Sequence, residues 1–97
     1  MQRYFIQLSY DGSAYHGWQV QPNGISVQEM VQKALSVVAR ETVSVTGAGR
    51  TDAGVHASFY VAHFDAENQQ LNNEKIIYNL NCLLPPDIAV QHIFKVD

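Results

Sequence analysis

Polar and apolar residues alternate at the start of the chain, as they do in a strand that buries one face. This alternation predicts a first strand from about Arg3 to Tyr10. Similar patterns predict three more strands, at about residues 42–48, 57–65 and 88–96. The residues of the first strand that we expect to face the core are Tyr4, Ile6, Leu8 and Tyr10.

Two other stretches repeat their apolar residues with the spacing of a helix. The first follows Ser26, and Glu29 can complete a capping box with that serine. The second follows the asparagine pair at 72–73, which suits an N-cap, and ends near residue 83, before two prolines. The apolar positions expected to face the core are Val27, Met30, Val31, Ala34, Leu35 and Val38 in the first helix, and Ile76, Ile77, Leu80, Leu83 and Leu84 in and just after the second.

The predicted elements follow one another in the order β-α-β-β-α-β. This is the order of the split-βαβ, ferredoxin-like arrangement, an α+β fold with an antiparallel sheet and both helices on one face. Many unrelated functions use this arrangement. The fold class therefore does not select a function.

Composition limits the class of protein. The 97 residues are 46% hydrophobic and 15% charged, which fits one small globular domain rather than a disordered chain. The single cysteine, Cys82, suits a reducing, cytoplasmic setting, and we expect it to be a small buried apolar residue. No apolar run approaches the roughly 20 residues of a membrane span. The net charge of −3 does not favour a nucleic-acid partner, because such binding relies on Lys and Arg contacts to phosphate.

The segment Gly47–His56 carries the candidate chemistry. Its glycines lie between two predicted strands and do not match a phosphate-binding loop or a dinucleotide fingerprint. Arg50 and Asp52 are two residues apart, a spacing that places both side chains on one face of extended backbone. A guanidinium this close favours the ionised carboxylate, which can act as a nucleophile or a base. From position alone, however, an Asp beside Ala-Gly in a hairpin is usually an ordinary turn former, and position favours that interpretation of Asp52.

The histidines do not suggest a metal site. His56 and His63 are expected to face opposite ways on an extended strand, and His16 and His92 have no ligand partner nearby in the sequence. We therefore predict no metal.

Three ordered blocks of the chain resemble the tRNA pseudouridine synthase A (TruA) family. The central block is Gly49-Arg50-Thr51-Asp52-Ala53-Gly54-Val55-His56. An earlier block comprises Tyr10-Asp11-Gly12, Gly17-Trp18-Gln19 and Ser26-Val27-Gln28, and a later one Leu80-Asn81, Leu84-Pro85 and Asp87-Ile88. The resemblance spans nearly the whole chain.

The resemblance implies a cofactor-free isomerase that converts uridine to pseudouridine in the anticodon stem–loop of tRNA. Asp52 matches the family's essential aspartate, which either attacks the ribose or removes a sugar proton. The residues that the resemblance and their place in the motifs suggest for substrate or RNA binding are Arg50, Thr51, His56, Trp18 and Gln19. Trp18 is equally readable as a residue packed beneath its loop.

Members of this family are longer and work as homodimers that hold tRNA between their subunits. We therefore expect residues 1–97 to form the amino-terminal domain of a two-domain protein, with the carboxy-terminal domain absent from this chain. The missing half would supply much of the basic surface, and we expect the chain alone to be inactive.

Two other functions remain open at this level. One is an RNA-binding module without catalysis, because the predicted strand at 57–65 carries aromatic residues, although it lacks the Lys/Arg-Gly start of an RNA-recognition motif. The other is a small-ligand regulatory domain, which the fold class and the net charge favour.

Overall fold

The computed structural model describes residues 1–11, 26–47 and 57–96, and for residues 57 and 58 it describes the backbone only. Within these ranges the chain forms four strands and two helices in the order expected from the sequence. The elements are β1 (Gln2–Tyr10), α1 (Val27–Ala39), β2 (Val45–Gly47), β3 (Ala57–Ala66), α2 (Glu74–Leu83) and β4 (Ile88–Val96).

The strands form one sheet in the order β2-β3-β1-β4, and every pair of neighbours is antiparallel. Since the two helices connect strands that are not neighbours, this is the predicted ferredoxin-like α+β fold. β1 lies between β3 and β4, and its last residue, Tyr10, lies opposite both Ala57 of β3 and Ile88 of β4. β2 and β4 are the two edges of the sheet.

The core lies between the helices and one face of the sheet. The four residues predicted for the buried face of β1 are all 0–4% exposed. The ring of Tyr4 stacks on that of Phe64, with ring centroids 5.1 Å apart. The other core residues of the sheet and helices include Val27, Val31, Leu35, Val45, Ala62, Leu80, Ile88 and Val90.

Both helices begin at the caps that the sequence indicates. Ser26 is the N-cap of α1, and its Oγ accepts a hydrogen bond from the backbone N–H of Glu29. Asn73 is the N-cap of α2, and its Oδ1 accepts from the N–H of Ile76. These bonds satisfy backbone donors that have no partner within the helix.

α1 ends in an unusual conformation. Arg40, its C-cap, has φ 58° and ψ 35° and is the one non-glycine residue with positive φ in the described ranges. Its N–H donates to the carbonyl of Ser36, as in a left-handed helix terminus. A side chain with a Cβ pays a steric cost in this conformation.

The structure corrects the sequence interpretation in three places. β2 is shorter than expected and begins at Val45, although Val43 is buried in the core. Leu83 was assigned to the core face of α2 but is 50% exposed. Cys82 is exposed and not buried, because it lies on the outer side of a helix whose contact with the core centres on Leu80.

Candidate active site and the strands that hold it

All six residues predicted for the site lie outside the described ranges. They are Asp52, Arg50, Thr51 and His56 in the segment 48–56, and Trp18 and Gln19 in the segment 12–25. The expected proximity of Arg50 and Asp52 therefore stays a prediction. The structure does define the residues to which both segments are attached.

Of the four residues to which the two segments are attached, three lie at or next to the end of a strand. β1 and β2 are both antiparallel to β3, so they run in the same direction and their carboxyl ends point the same way. β1 leads into Asp11 and β2 ends at Gly47, while β3 begins at that same end of the sheet with Ala57. β1 and β2 therefore run towards the end of the sheet where β3 begins, although Gly47 pairs with Ala62 and so lies five residues along β3 from Ala57.

The fourth attachment residue, Ser26, caps the helix that lies along β2. Near its start, α1 contacts Val45 of β2 through Gln28, and further along it contacts Val43 through Ser36. The helix therefore runs antiparallel to β2, with its amino terminus beside the carboxyl end of that strand. Segment 12–25 therefore joins the carboxyl end of β1 to a helix that starts beside β2, the strand that leads into segment 48–56.

The central strand is held firmly at this end. The backbone N–H of Asp11 donates to the carbonyl of Asp87 at 2.8 Å, which ties the end of β1 to the turn before β4. The rings of Tyr10 and Tyr60 meet edge to face with centroids 5.9 Å apart. Tyr10 is only 4% exposed. The segment 12–25 therefore starts from a fixed point.

Side chains of α1 hold the edge strand β2. Gln28 Nε2 donates to the carbonyl oxygen of Val45, and Gln32 Oε1 accepts from the N–H of the same residue at 3.0 Å. One turn further on, Ser36 Oγ accepts from the N–H of Val43 at 3.0 Å. Residues four apart share one face of a helix, so this face supplies the bonds that a neighbouring strand would make.

α2 holds the opposite edge in a similar way. Asn81 Nδ2 donates to the carbonyl of Val90 at 2.9 Å, and Asn81 Oδ1 accepts from the N–H of Val90 at 2.8 Å. The pairing of β4 with β1 shifts register directly beyond Val90. Asn81 therefore fixes the part of β4 that pairs with the end of β1.

Sequence reasoning missed these amide contacts. A glutamine, glutamine and serine at successive four-residue intervals were visible in α1, but polar residues with that spacing usually mark a solvated face. Asn81 stood in a block used only for the family resemblance. Their bonds go to backbone atoms, which carry no residue-specific signal.

The sheet face opposite the helices bears an aromatic cluster. The ring of Phe5 lies edge-on to that of Phe94, with centroids 5.7 Å apart, and tilted towards His63, with centroids 6.5 Å apart. Phe59 is 66% exposed. This face therefore offers ring surfaces to a partner.

Beside the cluster lies an ion pair. Arg3 Nε and Nη2 donate to the two carboxylate oxygens of Asp65 at 2.9 and 3.0 Å. The hydrogen bond from Arg3, together with its charge, lowers the pKa of Asp65, and the same contacts raise the pKa of Arg3. A polar cavity of about 310 Å³ adjoins the pair, lined by Met1, Arg3, Thr42, Ser44, Thr46, His63, Phe64 and Asp65.

Residues 1–11, 26–47 and 57–96 contain neither a metal-binding cluster nor a membrane-spanning helix. No three His, Cys, Asp or Glu side chains in these ranges are grouped so that they could hold a metal ion. None of the helices in the same ranges has the length and apolar character needed to cross a membrane.

A four-stranded antiparallel sheet with two helices defines an α+β domain of the ferredoxin-like class. Sequence comparison assigns the family. The profile described as tRNA pseudouridine synthase matches residues 7–97, and the chain belongs to this family.

Individual relatives agree with the family assignment. The chain is 58% identical over 96 residues to tRNA pseudouridine synthase A of Bacteroides fragilis and 62% identical over 96 residues to that of Bacteroides thetaiotaomicron. It is 49% identical over 90 residues to the enzyme of the same name from Thermoanaerobacter pseudethanolicus. These alignments cover 99%, 99% and 93% of this chain, but only 38%, 35% and 36% of the relatives. The chain thus spans little more than a third of their length.

Proposed function

We propose that this chain supplies the catalytic aspartate of a tRNA pseudouridine synthase, with Asp52 as the reacting carboxylate. The single observation that carries the proposal is family membership over residues 7–97, a range that includes the signature segment. The direction of the strands supports it, because β1 and β2, which lead into segments 12–25 and 48–56, both run towards the end of the sheet where β3 begins.

The proposed reaction is an isomerisation that needs no cofactor. The bond between ribose C1′ and uracil N1 breaks, the detached base rotates, and its C5 is joined to C1′. An ionised Asp52 either attacks the sugar or removes a sugar proton, and both routes require the carboxylate to meet a ribose. Arg50 is well suited to keep that carboxylate ionised and to occupy space near a flipped nucleotide.

The proposed substrate is the anticodon stem–loop of tRNA. A base inside a stem must leave its stack before it can react, at a cost of a few kcal/mol. We propose that Thr51, His56, Trp18 and Gln19 contact the RNA, with the Trp18 ring available for stacking.

The charge of the chain bears on how tRNA is held. The chain has only six Lys and Arg residues and a net charge of −3, whereas RNA affinity depends largely on contacts from cations to phosphate. We propose that the remaining two thirds of a protein of its relatives' length, assembled as a cytoplasmic homodimer, supplies most of the cationic surface. Sedimentation of the complete protein with and without tRNA tests the dimer directly.

The test of catalysis is an isosteric substitution in the complete protein. Asp52→Asn should abolish pseudouridine formation in tRNA, read by chemical mapping, while tRNA affinity stays within about twofold. Asp65→Asn is the matched control, because it makes the same chemical change at the ion pair with Arg3, and it should retain nearly full activity.

Retained turnover in Asp52→Asn would falsify the catalytic assignment. A wild-type protein that binds tRNA but forms no pseudouridine would point instead to the RNA-binding module, for which the exposed rings of Phe59 and Phe94 are the supporting observation.

A further inference from the structure

Among the described residues β2 is a short strand, and the signature segment follows it directly. It has three residues, which pair with β3 through Val45 opposite Phe64, Thr46 opposite His63, and Gly47 opposite Ala62. β1, by contrast, pairs with β3 and β4 along nearly its whole length. Within the described residues, these three residue pairs join β2 to the sheet.

The side-chain amides of Gln28 and Gln32 make further hydrogen bonds to this strand, both at Val45. Val45 is 1% exposed, so its outward N–H and carbonyl cannot rely on solvent for partners. Gln32 Oε1 accepts from the N–H, and Gln28 Nε2 donates to the carbonyl oxygen. Gln28 Nε2 also lies 3.5 Å from Gln32 Oε1, which links the two amides. We call this arrangement the Val45 clamp.

In the Val45 clamp one glutamine accepts a hydrogen bond from the backbone and the other donates one to it. Gln32 acts as an acceptor, for Val45 and for Gln28, and a carboxylate at its position could do the same. Gln28 must present a donor to a carbonyl oxygen, and a carboxylate there would face that oxygen with a lone pair. The backbone partners fix both amide orientations, because an N–H can only donate and a carbonyl can only accept.

We propose that Gln28 and Gln32 are positioning residues for the reaction, acting through Val45 on the strand that leads into the segment of Asp52. This inference rests on the proposed function. Its physical basis is that a reacting group misplaced by about 1 Å can lose roughly a hundredfold in rate. The long ladders of β1 hold the fold without the clamp, so its loss should affect catalysis more than folding.

The experiment uses two chemically identical substitutions with opposite expected results. In the complete protein, Gln28→Glu should lower kcat for pseudouridine formation by about 30-fold, because it removes the donor to Val45. Gln32→Glu keeps the acceptor and should stay within about threefold of wild type. KM for tRNA should change by less than about threefold in both, because most of the phosphate contacts are proposed to come from the rest of the complete protein. Gln70→Glu, on an exposed connection, controls for the added charge.

Amide hydrogen exchange at Val45 provides the readout that does not depend on activity. Protection of this N–H should fall at least tenfold in the uncharged variant Gln32→Met, which removes its acceptor, but not in Gln32→Glu. Protection of the β1 amides should not change in any variant.

Equal kcat in Gln28→Glu and Gln32→Glu would overturn the inference, as would a loss of Val45 protection with no loss of kcat. Absence of pseudouridine formation by the wild-type protein would defeat the proposed function instead. In that case, unchanged Val45 exchange in Gln32→Met would separately contradict the clamp.

Discussion

The phenolic oxygen of Tyr4 lies 2.7 Å from the carbonyl oxygen of Asn68 and donates a hydrogen bond to it. The same oxygen accepts from the N–H of Leu71 at 3.4 Å. Tyr4 is fully buried, so these bonds tie the connection between β3 and α2 to the centre of the sheet.

Tyr4→Phe should therefore destabilise the chain by about 1–2 kcal/mol, because it leaves the carbonyl of Asn68 without its donor while keeping the ring. Urea unfolding of the chain measures this difference. Tyr78→Phe is the matched control, since Tyr78 is 69% exposed and should change stability by less than about 0.5 kcal/mol. Equal effects of the two substitutions would show that the Tyr4 hydroxyl contributes nothing specific.

Asn81→Ala should cost about 1–3 kcal/mol, since it removes two hydrogen bonds to the backbone of Val90, each worth roughly 0.5–1.5 kcal/mol. Asn79→Ala makes the same change in the same helix and controls for helix propensity. Protection of the Val90 amide should fall only in the Asn81 variant. Loss of protection in both variants would indicate a general loosening of α2.

Arg40→Gly should stabilise the chain by about 0.5–1 kcal/mol, because glycine adopts the left-handed conformation without the steric cost of a Cβ. Arg40→Ala removes the same charge but keeps the Cβ, and it should bring no such gain. Thermal melts of the two variants decide the matter. A gain in both would assign the effect to charge and not to the backbone.

The ion pair of Arg3 and Asp65 predicts a dependence of stability on pH. Because the hydrogen bond from Arg3 lowers the folded-state pKa of Asp65, the pair contributes stability above the ordinary Asp pKa of about 3.9. That contribution is lost as the pH falls through the lowered value. Both groups are solvent-exposed, so the effect should be small and weakened by salt.

The difference in Tm between wild type and Asp65→Asn should accordingly be largest near neutral pH and shrink as the pH falls below about 4. Thermal melts at low and high salt over this pH range measure it. A difference that grows on acidification would contradict the predicted sign.

The sequence predicted the fold well because its signals are local. Alternation in β1 identified the buried face, and short polar side chains at Ser26 and Asn73 marked the helix starts. The outer side of α2 was misjudged at Leu83 because a periodic pattern cannot tell how far around a helix the neighbouring elements reach. β2 was predicted too long because buried Val43 extends the alternation beyond the residues that pair with β3.

The candidate site was predictable only in part. Physical reasoning left Asp52 between a turn former and a reacting group, and the family resemblance was needed to choose. The contacts that hold the strand before it were not predictable, because Gln28 and Gln32 bind backbone atoms of Val45, and any residue has those atoms. Such contacts depend on how α1 lies along β2, which is a property of the tertiary structure.

The side chains that bind the backbone of Val45 and Val90 also affect how the protein behaves at high concentration. A strand from another molecule cannot add to the sheet at either position without first displacing a bonded amide, so these contacts oppose domain swapping and fibre growth. Substitutions that free Val45 or Val90 would then cause turbidity at high concentration, even where the monomer remains folded.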